Sequence, residues 1–340
     1  MTALDMDMIQ PEAPPDGAAP SHASRRRLGA TDVQTIPFVL GGNVFGWTAD
    51  RSASFAILDA FAANGGTLID TADSYSRWAP GHHGGESEEM LGAWLAASGA
   101  RAKIQIATKV GAMPGEGGKG LAPSRIAAGC DASLRRLGID CIDLYYAHCD
   151  DLDTPQEAVL EAFGKLIDAG KVRAIGASNF SVARLESARA LAADGAGPRF
   201  DVVQPGYNLI RRDEYEGALQ DFCVANHIGV VPHSGLASGF LTGKYQSLAD
   251  TEARARGARL GSLFDARGLA VLAALKRISN ETGASPAQIS LAWLTAKPAV
   301  VGPIASATSV AQLEELMQSV ELVLDGEHIA LLDAAGRDPA

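Results

Sequence analysis

Short apolar runs alternate with amphipathic helical segments from residue 27 onward, and this alternation is the feature that most restricts the fold. Segments such as 52–65, 124–138 and 155–171 carry apolar residues at helical spacing. Strands separated by helices in this way are typical of repeated βα units with a parallel sheet. Eight runs are predicted as strands: PFVLGG (37–42), TLID (67–70), IQIATK (104–109), IDLYYAH (142–148), VRAIGAS (172–178), DVVQ (201–204), IGVVPHS (228–234) and AVVGPI (299–304).

Eight such units without a second sheet pattern predict a single α/β domain, a (β/α)8 TIM barrel over residues 27–340. A chain of 340 residues could otherwise hold two ordinary domains. An open doubly wound sheet that binds a dinucleotide should carry GxGxxG after its first strand, and GGNVFG (41–46) does not fit. Residues 1–26 contain four prolines among alanines and polar residues, so we expect a disordered tail.

Composition excludes several classes of function. A net charge of −11 argues against a nucleic-acid partner, and no run approaches the ~18 apolar residues of a membrane span. The four cysteines form no CxxC pair and have no metal-ligand spacing, so a reduced, cytoplasmic compartment is expected. His82 and His83 have no cysteine or acidic residue at ligand spacing, which favours a loop or substrate contact over a metal site.

Four chemically active residues lie at or just after predicted strands: Asp70, Tyr75, Lys109 and His148. Taken singly, each has an ordinary structural use, as a helix cap, a loop anchor or a surface charge. The C-terminal ends of barrel strands converge, however, so these residues can meet. An ammonium beside Tyr75 would favour the phenolate, Asp70 would keep Lys109 charged, and His148 could relay a proton. Without paired carboxylates or a nucleophile with its own base, carbonyl polarisation with proton donation is favoured over hydrolysis.

The chain resembles the aldo-keto reductase superfamily from about Arg27 to its last helix. The matching stretches occur in the family's order: LIDTADSY (68–75), GGESEEMLGAWL (84–95), ATKVG (107–111), RLGIDCIDLYYAH (136–148), GKVRAIGASNFS (170–181), VVQPGYN (202–208), SGFLTGKY (238–245) and ASATSVAQLEEL (305–316). The resemblance implies hydride transfer between a nicotinamide dinucleotide and a carbonyl or alcohol. It also implies a catalytic tetrad of Asp70, Tyr75, Lys109 and His148, with Tyr75 as general acid in reduction and general base in oxidation.

The resemblance further implies a set of cofactor-binding residues. Ser178, Asn179 and Gln204 would hold the nicotinamide carboxamide, a use compatible with Asn179 capping the helix that starts near Ser181. The whole set is Asn43, Asp70, Ser178, Asn179, Gln204, His233, Ser234, Gly235, Leu236, Ser238, Lys244, Ser306, Thr308, Gln312 and Glu315.

The seventh strand departs from the family pattern. Members commonly have an aromatic residue before Ser-Pro-Leu, and its ring stacks on the nicotinamide, whereas this chain has His-Ser-Gly-Leu at 233–236. An imidazole can stack but offers less surface, so either His233 or Tyr207 could fill this role.

The segment that would meet the 2′-phosphate of NADPH is uncharged. Members that select this phosphate often place Lys or Arg there, whereas this chain has Ser306, Thr308 and Gln312. Lys244 could neutralise the diphosphate. A missing guanidinium could come from residues after the seventh strand, namely Arg254, Arg256 and Arg259. NADPH is the first expectation and NADH the alternative.

Two classes of function remain open. One is an oxidoreductase acting on a ketone, an aldehyde or a secondary alcohol, and the other is a non-catalytic, nicotinamide-binding, redox-sensing subunit of the same fold. The intact tetrad favours the enzyme. A metal-dependent barrel hydrolase would need HxH after the first strand, where residues 41–43 are Gly-Gly-Asn.

Trp47, Trp78 and His82 predict aromatic walls suited to a cyclic or bulky substrate such as a sugar, a terpenoid or a polycyclic ketone.

Overall fold

The computed structural model describes residues 24–245, 250 and 260–337. Eight parallel strands form one sheet, in which the first seven strands pair in chain order and the eighth pairs with the first. The strands are β1 (Val39–Gly41), β2 (Leu68–Asp70), β3 (Gln105–Val110), β4 (Ile142–Ala147), β5 (Val172–Ser178), β6 (Val202–Gln204), β7 (Gly229–Val230) and β8 (Ile304–Ala305).

Backbone bonds near β7 and β8 close the sheet on itself. Val230 forms a parallel bridge with Val300, and the Val301 amide donates to the Val230 carbonyl at 2.8 Å. The Ile304 amide donates to the Pro232 carbonyl at 2.9 Å. The predicted (β/α)8 barrel is therefore confirmed.

Helices connect successive strands and cover the outside of the barrel. They are α1 (Arg51–Ala63), α2 (Glu86–Ser98), α3 (Pro123–Leu137), α4 (Gln156–Asp168), α5 (Val182–Ala193), α6 (Ala218–Ala225), α7 (Ala266–Thr282), α8 (Pro286–Thr295), α9 (Val310–Met317) and α10 (Gly326–Ala335). Short 3-10 turns occur at Ala100–Ala102, Ala237–Thr242, Gly261–Leu263 and Gln318–Val320. No helix in the described parts of the chain is long and apolar enough to cross a membrane.

Apolar side chains fill the barrel interior. Leu68, Ala107, Leu144 and Val202 point inward from their strands and form one buried cluster. An N-terminal hairpin, in which Arg26–Arg27 pairs with Gln34–Thr35, adds Leu28 and Val33 to this cluster. Because side chains fill the interior, a site must lie at the C-terminal ends of the strands, where the βα loops meet.

Prolines shorten the last two strands relative to the predicted runs. Proline has no backbone N–H and cannot donate to a ladder. Pro232 lies inside the predicted seventh strand and Pro303 inside the eighth, so β7 keeps two residues and β8 begins only at Ile304. Residues 1–23 and Arg254, Arg256 and Arg259 lie outside the described residues.

Candidate active site

The four predicted catalytic side chains come together at the C-terminal end of the barrel. Asp70 and Lys109 each lie two residues after an inward-facing apolar residue, so the strand period of two also points them into the interior. Tyr75 lies on the loop after β2, and His148 directly follows β4. The Lys109 ammonium lies 2.5 Å from Asp70 Oδ1 and 2.9 Å from the Tyr75 hydroxyl.

Each of the three ammonium hydrogens of Lys109 has its own acceptor. Besides Asp70 Oδ1 and the Tyr75 oxygen, the Thr71 carbonyl accepts at 2.7 Å. The second carboxylate oxygen of Asp70 accepts from Gln204 Nε2 at 2.8 Å. The Tyr75 oxygen therefore accepts from Lys109, and the phenol proton has only Asp70 Oδ1, a long 3.3 Å away, as a partner among the described residues. That proton is well placed for donation to a molecule in the cavity above.

Burial is the main influence on the pKa of Tyr75. Burial and the Asp70 charge raise the pKa of Tyr75 well above its ordinary value. Burial also lowers the pKa of Lys109, and the Asp70 carboxylate opposes this shift. The direction of the Tyr75 pKa shift is opposite to the one expected from Lys109 alone, because a fully buried phenolate is poorly solvated. Tyr75 holds its proton at neutral pH and has the form of a general acid.

The two histidines of the site are held neutral. Burial, together with the Lys109 charge, lowers the pKa of His148 to about 3, and burial lowers that of His233 to about 4. Ser74 Oγ lies 3.5 Å from His148 Nδ1, and the His148 ring lies edge-on to Tyr75 at 6.1 Å between centroids. A neutral imidazole can still donate one hydrogen bond to a carbonyl oxygen.

A cavity of about 790 Å³ opens over this cluster. Its volume lies in the range of cofactor and small-molecule sites. Tyr75 and His148 line it, whereas Asp70 and Lys109 are buried beneath Tyr75. Asp70 does not line the cavity in the described structure, so a direct cofactor contact for it stays a prediction. All the other predicted cofactor residues line the cavity: Asn43, Ser178, Asn179, Gln204, His233, Ser234, Gly235, Leu236, Ser238, Lys244, Ser306, Thr308, Gln312 and Glu315.

Hydrogen bonds to neighbouring residues hold the Asn179 amide in place at the cavity wall. Asn179 has a φ of 58°, and its Nδ2 donates to the His148 carbonyl at 3.0 Å and to Ser178 Oγ at 3.1 Å. Its Oδ1 lies 3.3 Å from His233 Nε2. The helix that Asn179 was expected to cap is capped by Ser181 instead, whose Oγ accepts from the Arg184 amide. The Asn179 side chain is thereby available to the site.

Tyr207 is excluded as the ring that stacks on a nicotinamide. It is fully buried outside the cavity, its hydroxyl donates to Glu216 at 2.7 Å, and its ring packs against Tyr215 and Trp293. His233 does line the cavity. Of the two rings that the sequence left open, only His233 can face a ligand there.

The other half of the cavity wall combines a strained turn with polar groups. Ser234, Ala237 and Ser238 have positive φ values of 62°, 46° and 58°, a conformation that is uncommon for non-glycine residues and clusters at functional sites. Ser306 Oγ donates to Asn43 Oδ1 at 2.7 Å, and the Thr308 amide and hydroxyl both donate to Gln312 Oε1 at 3.0 Å. These neutral groups and Lys244 can make hydrogen bonds to a phosphorylated ligand.

Trp78 and Trp47 form an aromatic pair next to Tyr75, but neither is among the described residues that line the cavity, so the aromatic wall stays a prediction. Trp78 lies 6.0 Å from the Tyr75 ring, and Trp47 packs edge-on against Trp78 at 5.5 Å. His82 is absent from the cavity lining, and the described residues contain no group of three or more His, Cys, Asp and Glu that could hold a metal ion.

Sequence reasoning missed three groups of this site. Thr71 acts through its carbonyl, which no sequence pattern reveals. Ser74 lies within LIDTADSY, one residue before Tyr75, and that position was the available signal for its contact with His148. Arg211, which lines the cavity, follows VVQPGYN closely and was not considered.

Comparison with known proteins supports the resemblance. The model of the Aldo/keto reductase family matches residues 37–337. The chain is 33% identical to the uncharacterized oxidoreductase YrpG of Bacillus subtilis, over 90% of this chain and 94% of that protein. It is 32% identical to the aldo-keto reductase yakc [NADP(+)] of Schizosaccharomyces pombe, over 88% and 87% of the two chains. A probable voltage-gated potassium channel subunit beta of Arabidopsis thaliana is 31% identical, over 88% and 91%.

Proposed function

Because the chain belongs to the aldo/keto reductase family, we propose that it interconverts a carbonyl compound and its alcohol, with Tyr75 as general acid in reduction and general base in oxidation. The observation that carries this proposal is the Tyr75 hydroxyl, which lines the cavity and accepts a 2.9 Å hydrogen bond from Lys109. The coarser conclusion, an oxidoreductase of this family, rests on the matched family and relatives.

In the proposed reduction, Tyr75 donates its proton to the carbonyl oxygen while hydride reaches the carbonyl carbon. A bound reduced nicotinamide would supply that hydride. His148, held neutral, donates a hydrogen bond to the same oxygen and orients it. As Tyr75 loses its proton, the Lys109 ammonium stabilises the developing phenolate at 2.9 Å, and Asp70 keeps the ammonium in place. In oxidation the same groups work in reverse.

The cavity residues fit a nicotinamide dinucleotide. The fixed amides of Asn179 and Gln204 offer both donors and acceptors, as a neutral carboxamide requires. Ser238 and Lys244 would lie along the diphosphate, and Ser306, Thr308 and Gln312 around the adenosine. NADPH is our first choice and NADH the alternative; binding of both to the wild type and to the Arg254→Gln, Arg256→Gln and Arg259→Gln variants would decide between them. A selective loss of NADPH binding in one variant would identify the residue that contacts the 2′-phosphate.

The decisive test is Tyr75→Phe, which removes one proton donor and keeps the ring. We expect a loss of about 10²- to 10⁴-fold in carbonyl reduction, with unchanged NADPH binding by fluorescence titration. Tyr145→Phe is a matched control, because Tyr145 is buried in the barrel wall outside the cavity and its hydroxyl has no hydrogen-bond partner among the described residues. A Tyr75→Phe variant as active as the control would rule out the proposed role.

A second candidate function is a nicotinamide-binding, redox-sensing subunit that does not turn over. The relative named as a potassium channel subunit favours keeping this candidate. Purified protein and NADPH, assayed with a panel of ketones and aldehydes, separate the two. If NADPH binds tightly but is not oxidised by any carbonyl compound of the panel, the result would favour the redox-sensing subunit. A cytoplasmic location remains a prediction from the cysteine pattern.

A further inference from the structure

Arg211 is a charged cavity residue that the proposed cofactor site leaves unused. Among the described residues that line the cavity, the other side chains with full charges are Lys244 and Glu315. Both lie in segments assigned to the dinucleotide. Arg211 instead lies on the loop after β6, outside those segments.

The Arg211 loop is tied to the part of the wall that carries His233. The Arg211 amide donates to Asn208 Oδ1 at 2.9 Å, and Asn208 Nδ2 donates to the Ser234 carbonyl at 2.9 Å. Gly206 forms a parallel bridge with His233. The loop therefore has a fixed position beside the part of the cavity wall that carries His233 and Ser234.

The Arg211 guanidinium lies against the backbone of Gly206. A Cβ added at Gly206 would lie 3.1 Å from Arg211 Nη1 and 2.9 Å from Glu214 Oε2, so a side chain at residue 206 would displace both groups. The guanidinium is close enough to His233 that its charge helps to lower the pKa of that histidine. A positive charge thus stands at the cavity wall near a neutral imidazole.

Most hydrogen-bond donors of Arg211 are free in the described structure. Nη2 donates to Glu214 Oε1, and no described residue accepts from Nε or Nη1. The neighbouring Arg212 is the contrast, since Nε and Nη2 both bond to Glu216 and Nη1 donates to the Asp333 carbonyl. Arg211 is 52% exposed, and a half-exposed ion pair with one bond is readily exchanged for another partner. A planar oxyanion could engage the free edge with two bonds.

We propose that Arg211 binds an anionic group of the substrate, a carboxylate or a phosphate, on the side remote from the reacting carbonyl. This inference rests on the proposed carbonyl oxidoreductase function and narrows its substrate class to carbonyl compounds that carry an oxyanion. Glu214 competes with that oxyanion for the guanidinium, so it limits the affinity.

The test compares substrates that differ only in charge. These are 4-carboxybenzaldehyde and its neutral methyl ester, with 4-formylphenyl phosphate as the phosphate probe. The variants are Arg211→Gln, Glu214→Gln and Arg135→Gln. Arg135 serves as the matched control because it also forms an exposed pair, with Glu116, and is absent from the cavity lining.

We expect Arg211→Gln to raise KM for at least one anionic aldehyde about ten-fold. This is the low end of the effect of losing a hydrogen bond to a charged group, because the guanidinium is half exposed. KM for the ester should change less than two-fold. Glu214→Gln should lower KM for the anionic aldehyde, because it removes the competing carboxylate. Arg135→Gln should leave KM for the anion and for the ester unchanged. In the wild type, added salt should raise KM for the anion but not for the ester. A response to only one of the two anions supports the proposal and identifies the group.

Binding measurements separate this inference from the proposed activity. The dissociation constant of 4-(hydroxymethyl)benzoate for the NADPH-loaded protein, measured by calorimetry, tests Arg211 without turnover. If 4-(hydroxymethyl)benzoate binding depends on Arg211 but no aldehyde is reduced, the reductase proposal is contradicted and the anion site is supported. Reduction with equal responses of acid and ester to Arg211→Gln, or weaker NADPH binding in that variant, would overturn the anion site. Failure of both binding and reduction would overturn both.

Discussion

At the scale of single residues, the three acceptors of Lys109 determine how the site works. The ammonium is fully used by Asp70, Thr71 and Tyr75, so it cannot rotate away from the phenol. Removing Asp70 would release one hydrogen and let the amine tilt or lose its proton, since burial already lowers the Lys109 pKa. Asp70 therefore acts on Tyr75 through Lys109 as well as through its own long contact with the phenol.

This coupling predicts a non-additive double-mutant cycle. Lys109→Met and Asp70→Asn should each lower kcat for carbonyl reduction, by about 10²-fold or more for Lys109→Met. The double variant should be no more than a few-fold slower than Lys109→Met alone, because residues that act as a unit do not contribute twice. Circular dichroism and NADPH binding would verify that each variant folds. Losses that multiply would show that Asp70 acts independently of Lys109.

The sequence was sufficient to bring the tetrad together but not to assign its protonation. Polar residues that follow apolar runs must meet at one end of a barrel, whatever the details of packing. The raised Tyr75 pKa depends instead on complete burial. Tyr207 is enclosed by Tyr215 and by Trp293, which comes from a distant part of the sequence. Burial of a particular polar group arises from tertiary contacts and is not visible in a local pattern.

At the scale of elements, a buried ion pair anchors the loop that carries Tyr75. Asp73 on this loop pairs with Arg125 on α3, and each side chain is about 4% exposed. Ser76 Oγ donates to the Phe45 carbonyl at 3.0 Å and fixes the other side of the loop. Asp73 Oδ1 and Arg125 Nε have no hydrogen-bond partner among the described residues. The pair is therefore incompletely satisfied and sensitive to the loss of either member.

We predict that Arg125→Met lowers the free energy of unfolding by about 3 to 5 kcal/mol, because Asp73 would remain buried without its counter-charge. The double variant Asp73→Asn with Arg125→Met should recover much of that loss. Arg135→Met on the same helix is the control and should cost less than about 1 kcal/mol, since its pair with Glu116 is more than 60% exposed. Urea unfolding measures all four proteins. Equal effects at positions 125 and 135 would contradict the anchoring role.

At this scale, the sequence does not reveal which charged residues of a helix are buried. The pattern over 124–138 predicted α3 within a residue at each end, but nothing distinguished Arg125 from Arg135, although one is buried and the other exposed. The strands show the same limit, since Pro232 and Pro303 shorten β7 and β8 although the apolar runs continue through them.

At the scale of the whole molecule, the barrel follows from the alternation of elements, while the cavity depends on loops that follow several different strands. His148 follows β4, and His233 follows β7. Asn179 joins them, through Nδ2 to the His148 carbonyl and through Oδ1 to His233. Folding therefore buries two neutral imidazoles at one site, so protonation of either one opposes folding.

The lowered pKa of His148 predicts that the folded protein becomes less stable as the pH decreases below about 6.5. In the folded protein this pKa is about 3, against an ordinary value of 6.5, so below pH 6.5 the unfolded chain binds a proton that the folded chain does not. Stability from this group is complete above 6.5 and falls as pH decreases, by at most about 1.4 kcal/mol per pH unit. His148→Asn should lose that slope, while His227→Asn, at an exposed position, should keep it. Urea unfolding at pH 5, 6 and 7 measures the difference: we expect the advantage of wild type over His148→Asn to shrink toward pH 5, and parallel curves would show that His148 is solvated in the folded state.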